Sequence, residues 1–105
     1  MHIQINTDSN IEGNDALTQQ VEALVRDTLD RFSEQITRVE IHLSDENSDK
    51  KFGTGDNRCL LEARLAGLQP ISVSDQAATL QQAVDGALKK LKRSLDSTLG
   101  RLNSR

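Results

Sequence analysis

Residues 71–102 read ISVSDQAATLQQAVDGALKKLKRSLDSTLGRL, and the pattern of apolar residues changes within this stretch. Ile71 and Val73 alternate with polar residues, which indicates a strand with one buried face. From Leu80 onward the apolar residues recur at steps of three and four, as they do along an amphipathic helix. The apolar stripe comprises Leu80, Val84, Ala87, Leu88, Leu91, Leu95, Leu99 and Leu102. The stretch therefore predicts a strand and then a helix of about six or seven turns, with Ser74 or Asp75 as the N-cap.

The same two periodicities describe the first half of the chain. Ile3 and Ile5 alternate in a strand over residues 2–6, and Asn14 is a suitable N-cap for a following helix. The apolar stripe predicted for this helix consists of Leu17, Val21, Leu24, Val25, Thr28 and Phe32. Residues 37–45 return to a period of two, which predicts a second strand with an inward set of Val39, Ile41 and Leu43.

A polar, glycine-bearing stretch, ENSDKKFGTGDN at residues 46–57, predicts a long hairpin loop before the third strand. Residues 45–56 superficially resemble a calcium loop, with Asp45, Asn47 and Asp49 at alternate positions. However, Lys50 stands at the sixth position in place of the required glycine, and Asp56 stands at the twelfth in place of the bidentate glutamate. The third strand begins at Arg58 and turns its inward set, Cys59, Leu61, Ala63 and Leu65, toward the core. Pro70 favours an edge position for the fourth strand, since proline cannot donate a ladder hydrogen bond.

The predicted order is β-α-β-β-β-α, an α+β fold in which two amphipathic helices pack on one face of a four-stranded sheet. A helical crossover places the first strand parallel to the second. No repeat, linker or low-complexity tract divides the sequence, so we expect one domain over residues 1–105.

Charge is distributed unevenly along the chain. Residues 1–49 hold 3 Lys/Arg against 11 Asp/Glu, whereas residues 50–105 hold 10 against 5, within an overall net charge of −3. A basic second half can attract polyanions, while the acidic half weakens indiscriminate binding. The lone Cys59, the lack of a leader-like start and the lack of a long apolar run predict a cytoplasmic protein with no membrane contact.

The strongest local feature is a cluster of basic residues on the last helix, Lys89, Lys90, Lys92 and Arg93, followed by Arg101. At about 100° per residue, Lys89, Lys90 and Arg93 point away from the leucine stripe and Lys92 flanks it. Such a row can neutralise phosphates along an RNA backbone. The alternative is an ordinary solvated face, with Asp85 and Lys89 as an i,i+4 ion pair. Only two aromatic residues are present, so base stacking is poorly supported.

The sequence predicts neither catalysis nor a cofactor. His2 and His42 are too few and too far apart for a metal site, and Cys59 on an inward strand face is better explained as a buried structural thiol than as a nucleophile. The sequence contains no P-loop, nucleophile elbow or dinucleotide fingerprint. We therefore expect no small-molecule substrate.

The element order and the segment AVDGALKKLKRSL, Ala83 to Leu95, resemble the ribosome hibernation promoting factor and ribosome-associated inhibitor family, also called sigma-54 modulation proteins. The resemblance spans the whole chain. It implies a factor that binds the small ribosomal subunit, occupies the messenger and transfer-RNA channel, and inhibits translation in stationary phase or under stress. It also implies that Lys89, Lys90, Lys92, Arg93 and Arg101 contact ribosomal RNA. Because no acidic tail or extra domain follows the last helix in these 105 residues, we expect the family's short form.

A second hypothesis is a diverged member of that family that serves as a protein-interaction module or binds another RNA. The first helix motivates it, because Glu22, Asp27 and Asp30 on its outer face would repel phosphates but suit a basic protein surface. The sequence leaves the oligomeric state open, with a monomer as the expectation.

Overall fold

The computed structural model describes residues 1–7, 15–45 and 57–103, without the side chains of Asp15, Asp45 and residues 101–103. The elements are β1 (His2–Thr7), α1 (Asp15–Thr28), a 3-10 turn (Asp30–Phe32), β2 (Ile36–Asp45), β3 (Asn57–Leu65), β4 (Ile71–Ala77) and α2 (Leu80–Asn103). This is the predicted β-α-β-β-β-α order. The predicted cap at Asn14 and the predicted loop, with Lys50 and Asp56, lie outside the described residues.

The four strands form one sheet in the order β1-β2-β3-β4. β1 runs parallel to β2, with Ile3 opposite Val39, and the other two pairings are antiparallel. β4 is therefore an edge strand, as Pro70 predicted, and Pro70 itself lies just before its first residue. Both the parallel first pair and the position of β4 confirm the predicted architecture.

Both helices cover the same face of the sheet, which we call the inner face. α2 packs on β3 and β4, and α1 lies beside it and contacts β1. The buried residues that form the core are Val21, Val25, Leu29, Phe32, Ile36, Val39, Ile41, Leu43, Cys59, Leu61, Ala63, Leu65, Ala83, Val84, Ala87, Leu88, Leu91 and Leu95. The predicted inward sets of β2 and β3 are all in this core.

The first helix ends earlier than its stripe predicted. α1 stops at Thr28, and Phe32 reaches the core from a 3-10 turn in which its N–H donates to the carbonyl of Leu29 at 2.9 Å. Such tightening is common at helix ends, and here it precedes the turn into β2. Leu29 is fully buried, whereas Thr28, which the stripe included, is half-buried.

The predicted caps of the last helix, Ser74 and Asp75, are wrong. Pairing with β3 keeps β4 extended as far as Ala77, which faces Asn57, so both residues lie inside the strand. Thr79 is the cap instead: its Oγ1 accepts a hydrogen bond from the N–H of Gln82 at 3.1 Å. The oxygen of a threonine side chain thus satisfies one of the free N–H groups of the first turn.

Asp75 has another structural role, at the closest approach of α2 to β4. Its side chain lies on the inner face, because its strand partner Cys59 does. A Cβ placed on Gly86 would overlap the Asp75 carboxylate. Lys90, one helical turn further along, places its Nζ 3.3 Å from Asp75 Oδ1 and 2.8 Å from the carbonyl oxygen of Ser74. A residue without a Cβ at position 86 therefore leaves room for the Asp75 carboxylate. The hydrogen bonds of Lys90 connect α2 to β4.

This contact predicts that the effect of Gly86→Ala changes sign with the residue at position 75. In the natural background the overlap should outweigh the better helix propensity of alanine and lower the free energy of unfolding by about 1 kcal/mol. Combined with Asp75→Ala, the same change should raise it by up to about 1 kcal/mol. Urea denaturation of the four proteins measures both values. An equal effect of Gly86→Ala in the two backgrounds would contradict the contact.

Candidate functional site

The basic residues of α2 lie on the exposed side of the helix. Lys89, Lys90, Lys92 and Arg93 are all exposed, whereas Leu88, Leu91 and Leu95 beside them are buried. We call these four residues the basic face. Lys89 and Arg93 are i,i+4 neighbours, about 5–6 Å apart between Cβ atoms, and point most directly away from the sheet. Arg101 lies within α2, but its side chain is outside the described ones, so its role stays a prediction.

Three members of the basic face have no partner within the described part of the chain. Lys89, Lys92 and Arg93 form no hydrogen bond or ion pair there, and the i,i+4 pair between Lys89 and Asp85 is not formed. Lys90 differs, because it binds Asp75 and the Ser74 carbonyl. The expectation that Lys90 points freely into solvent is therefore corrected: its side chain bends toward β4, where a carboxylate attracts it.

Most arginines elsewhere in the described residues are held by carboxylates. Arg26 pairs with Glu22 at 3.3 Å, and Arg31 of the 3-10 turn pairs with Asp96 of α2. On the sheet face that no helix covers, which we call the open face, Glu40 lies between two arginines, 3.6 Å from Arg38 and 3.8 Å from Arg64. These pairs neutralise the arginines of α1, of the 3-10 turn and of the central open face, so most of the unpaired positive charge of the described residues lies on α2.

The outer surfaces of the two helices carry opposite charge. Asp27 and Asp30, at the end of α1 and in the 3-10 turn, are exposed and form no ion pair within the described residues. α1 lies beside α2, so these two carboxylates belong to the elements next to the helix that carries the basic face. Negative charge on the side of α1 disfavours a polyanion there.

The described residues provide no site for a metal ion and no activated nucleophile. No group of three or more His, Cys, Asp or Glu side chains comes together among them. Burial, and to a lesser degree the charge of Asp75, raises the pKa of the Cys59 thiol from its ordinary value of 9.0 to about 12. Cys59 is fully buried on the inner face, as predicted. In addition, no helix in the described part is long and apolar enough to cross a membrane.

The fold and its exposed cationic helix define a small α+β protein with a surface suited to a polyanion. The model of the family described as "Sigma 54 modulation protein / S30EA ribosomal protein" matches residues 3–103. The chain therefore belongs to this family and is a ribosome-associated protein. No curated protein sequence matches it.

Two solved structures share the fold. The N-terminal domain of Protein Y from Thermus thermophilus has a TM-score of 0.73 and 23% identity, and the match covers 93% of this chain and 99% of that one. A ribosomal subunit interface protein from Coxiella burnetii has a TM-score of 0.71 and 18% identity, with 95% and 99% covered. The arrangement of two helices on one sheet face is thus common to all three chains.

The state of Cys59 leads to a prediction about its reactivity. Because only the thiolate attacks alkylating reagents, the native protein should resist iodoacetamide at pH 8 and react only when it unfolds. The raised pKa also means that the neutral thiol favours the folded state, and this contribution should be lost as the pH rises from about 9 to about 12. Mass spectrometry after timed labelling, with and without urea, measures the reaction. Rapid labelling of the folded protein would contradict the buried placement.

Proposed function

We propose that the chain binds the small ribosomal subunit and its ribosomal RNA through the basic face of α2, and that it thereby occupies the messenger and transfer-RNA channel and inhibits translation. The observation that carries this proposal is the set of unpaired cations on α2 in a member of a ribosome-associated family. Lys89, Lys92, Arg93 and, by position, Arg101 are the residues assigned to phosphate contacts. They bind without catalysis and without a cofactor, in the cytoplasm, as one monomeric domain.

A cationic side chain without a carboxylate partner can bind a phosphate at a lower free-energy cost than one that is already paired. A lysine or arginine that already has a carboxylate partner must give up that interaction before it contacts a phosphate. Lys89 and Arg93 have no such partner in the described residues. Each phosphate contact therefore displaces only water and releases counterions from the RNA. The absence of aromatic side chains from the basic face means that backbone phosphates and RNA shape, rather than stacked bases, are recognised.

One observation favours a second candidate function. The exposed Asp27 and Asp30 would repel RNA but would suit a basic protein surface. A protein-interaction module would then use α1 rather than α2. The two candidates differ in which helix is needed for binding, and the same experiment separates them.

The test is sedimentation of the purified chain with small ribosomal subunits across a potassium chloride series, together with translation in a cell-free extract. The natural protein should pellet with subunits at low salt, dissociate as salt rises, and inhibit translation. The double variant Lys89→Ala/Arg93→Ala should stay folded, since exposed helix positions tolerate alanine. It should flatten the slope of log affinity against log salt by roughly 1.4 to 1.8, for two phosphate contacts.

A matched control removes the same charge elsewhere. Arg26→Ala/Arg64→Ala deletes two exposed arginines that are held in ion pairs on α1 and β3. It should retain the natural affinity and salt slope. If both double variants weaken binding equally, only bulk charge matters and the assignment to α2 is wrong. If neither binds less well, while changing Asp27 and Asp30 to Asn abolishes binding, the protein-interaction candidate replaces it.

A further inference from the structure

One more arginine in the described residues is without a partner, and it lies outside α2. Arg58, the second residue of β3, forms no hydrogen bond or ion pair within the described part of the chain. On the same strand and the same open face, Arg64 is held by Glu40 and Glu62 at 3.8 and 3.6 Å. Of these two arginines of β3, Arg64 is held by carboxylates, whereas Arg58 can contact a ligand. Arg58 also lines the same surface depression as Lys90 of the basic face.

The sheet register places Arg58 close to Lys90. Arg58 is opposite Gln76 on β4, and Lys90 reaches the same edge strand at the carbonyl of Ser74. Arg58, Ser74, Asp75, Gln76 and Lys90 together line one shallow, polar depression at the β4 edge. Arg58 enters it from the open face, whereas Lys90 comes from the helix-covered side. The depression thus has a cation on each side of the edge strand.

We infer that this depression is a second contact site for the RNA backbone, so that a strand of RNA bound to Lys89 and Arg93 continues over the β4 edge to Arg58. The inference rests on the proposed function and adds a residue and a direction to it. The direction follows from the position of Lys90, which reaches β4, and from the exposed carboxylates of Asp27 and Asp30 on the side of α1. Lys89, Lys90, Arg93 and Arg58 then line the path, and Asp75 is the carboxylate that lines the depression with Arg58 and Lys90.

Asp75 limits the affinity of this site. It holds Lys90 at 3.3 Å, so a phosphate that enters the depression competes with the Asp75 carboxylate for the same ammonium group. Ser74 supplies a hydroxyl donor on the open face beside Arg58. When a phosphate binds in the depression, Lys90 therefore exchanges its ion pair with the Asp75 carboxylate for one with a phosphate oxygen.

The experiment compares Arg58→Gln with Arg64→Gln, which removes the same group from the same strand and face. On small ribosomal subunits, Arg58→Gln should weaken binding roughly five- to eightfold at 0.1 M salt and flatten the log–log salt slope by roughly 0.7 to 0.9, as one lost phosphate contact does. Arg64→Gln should change neither value. Asp75→Asn keeps the shape of the side chain and leaves the Ser74 carbonyl as an acceptor for Lys90, but it removes the carboxylate charge that competes with a phosphate, and it should tighten binding at least about twofold.

The outcomes separate this inference from the proposed function. If the natural protein and all variants fail to bind subunits, the proposed function is wrong. If Lys89→Ala/Arg93→Ala weakens binding but Arg58→Gln behaves like Arg64→Gln, only the second contact site is wrong. Protein-free ribosomal RNA of the small subunit serves as a second probe. An Arg58→Gln effect on subunits that is absent with this RNA would assign Arg58 to a ribosomal protein and overturn the RNA path. If a folded Asp75→Asn protein binds subunits more weakly than the natural protein, the proposed exchange of Lys90 from Asp75 to a phosphate is wrong.

Discussion

The packing of α2 across β3 and β4 is the constraint on which the rest of the molecule depends. A four-stranded sheet buries its inner face only if helices cover it, and α2 supplies the leucine stripe that covers half of that face. Burial of this stripe sets how the helix is turned about its axis, and Gly86 leaves room for Asp75 where the helix comes closest to β4. Once that rotation is set, Lys89 and Arg93 must point to solvent. The same packing that forms the core therefore presents the charges.

Charge pairing explains how a protein with net charge −3 can present a cationic surface. Carboxylates of α1 and the sheet hold Arg26, Arg38 and Arg64, while those on α2 leave Lys89 and Arg93 free. The resulting field is directional rather than uniform. Exposed carboxylates near a basic face disfavour some orientations of a polyanion, whereas a uniformly basic surface would attract any nucleic acid.

The sequence predicted the elements, the sheet and the inward sets of β2 and β3, because each depends on local periodicity. What it missed depends on contacts between distant residues. Ser74 and Asp75 look like helix caps until β3 pairs with them, and that pairing is set by residues some 15 positions earlier.

The candidate site shows the same limit. The basic residues of α2 were visible as a cluster, but nothing local distinguishes Lys90, which is held by Asp75, from Lys89, which is free. Arg58 and Arg64 lie on the same face of β3. Glu62 on that strand and Glu40, which the register with β2 brings alongside, both hold Arg64, whereas Arg58 has no partner among the described residues. Whether a lysine or arginine is free to bind a phosphate thus depends on which carboxylates the fold brings next to it.

The most direct test of the central claim is a map of which amines become protected when the chain binds the small ribosomal subunit. Brief acetylation of the free and bound protein, read residue by residue by mass spectrometry, gives this map. The account predicts that Lys89 and Lys92 are modified readily in the free protein and are protected in the complex, while the amino terminus of Met1 beside β1 stays reactive in both. Protection of the amino terminus with Lys89 and Lys92 still fully reactive would contradict it, because binding would then use the side of the sheet remote from α2.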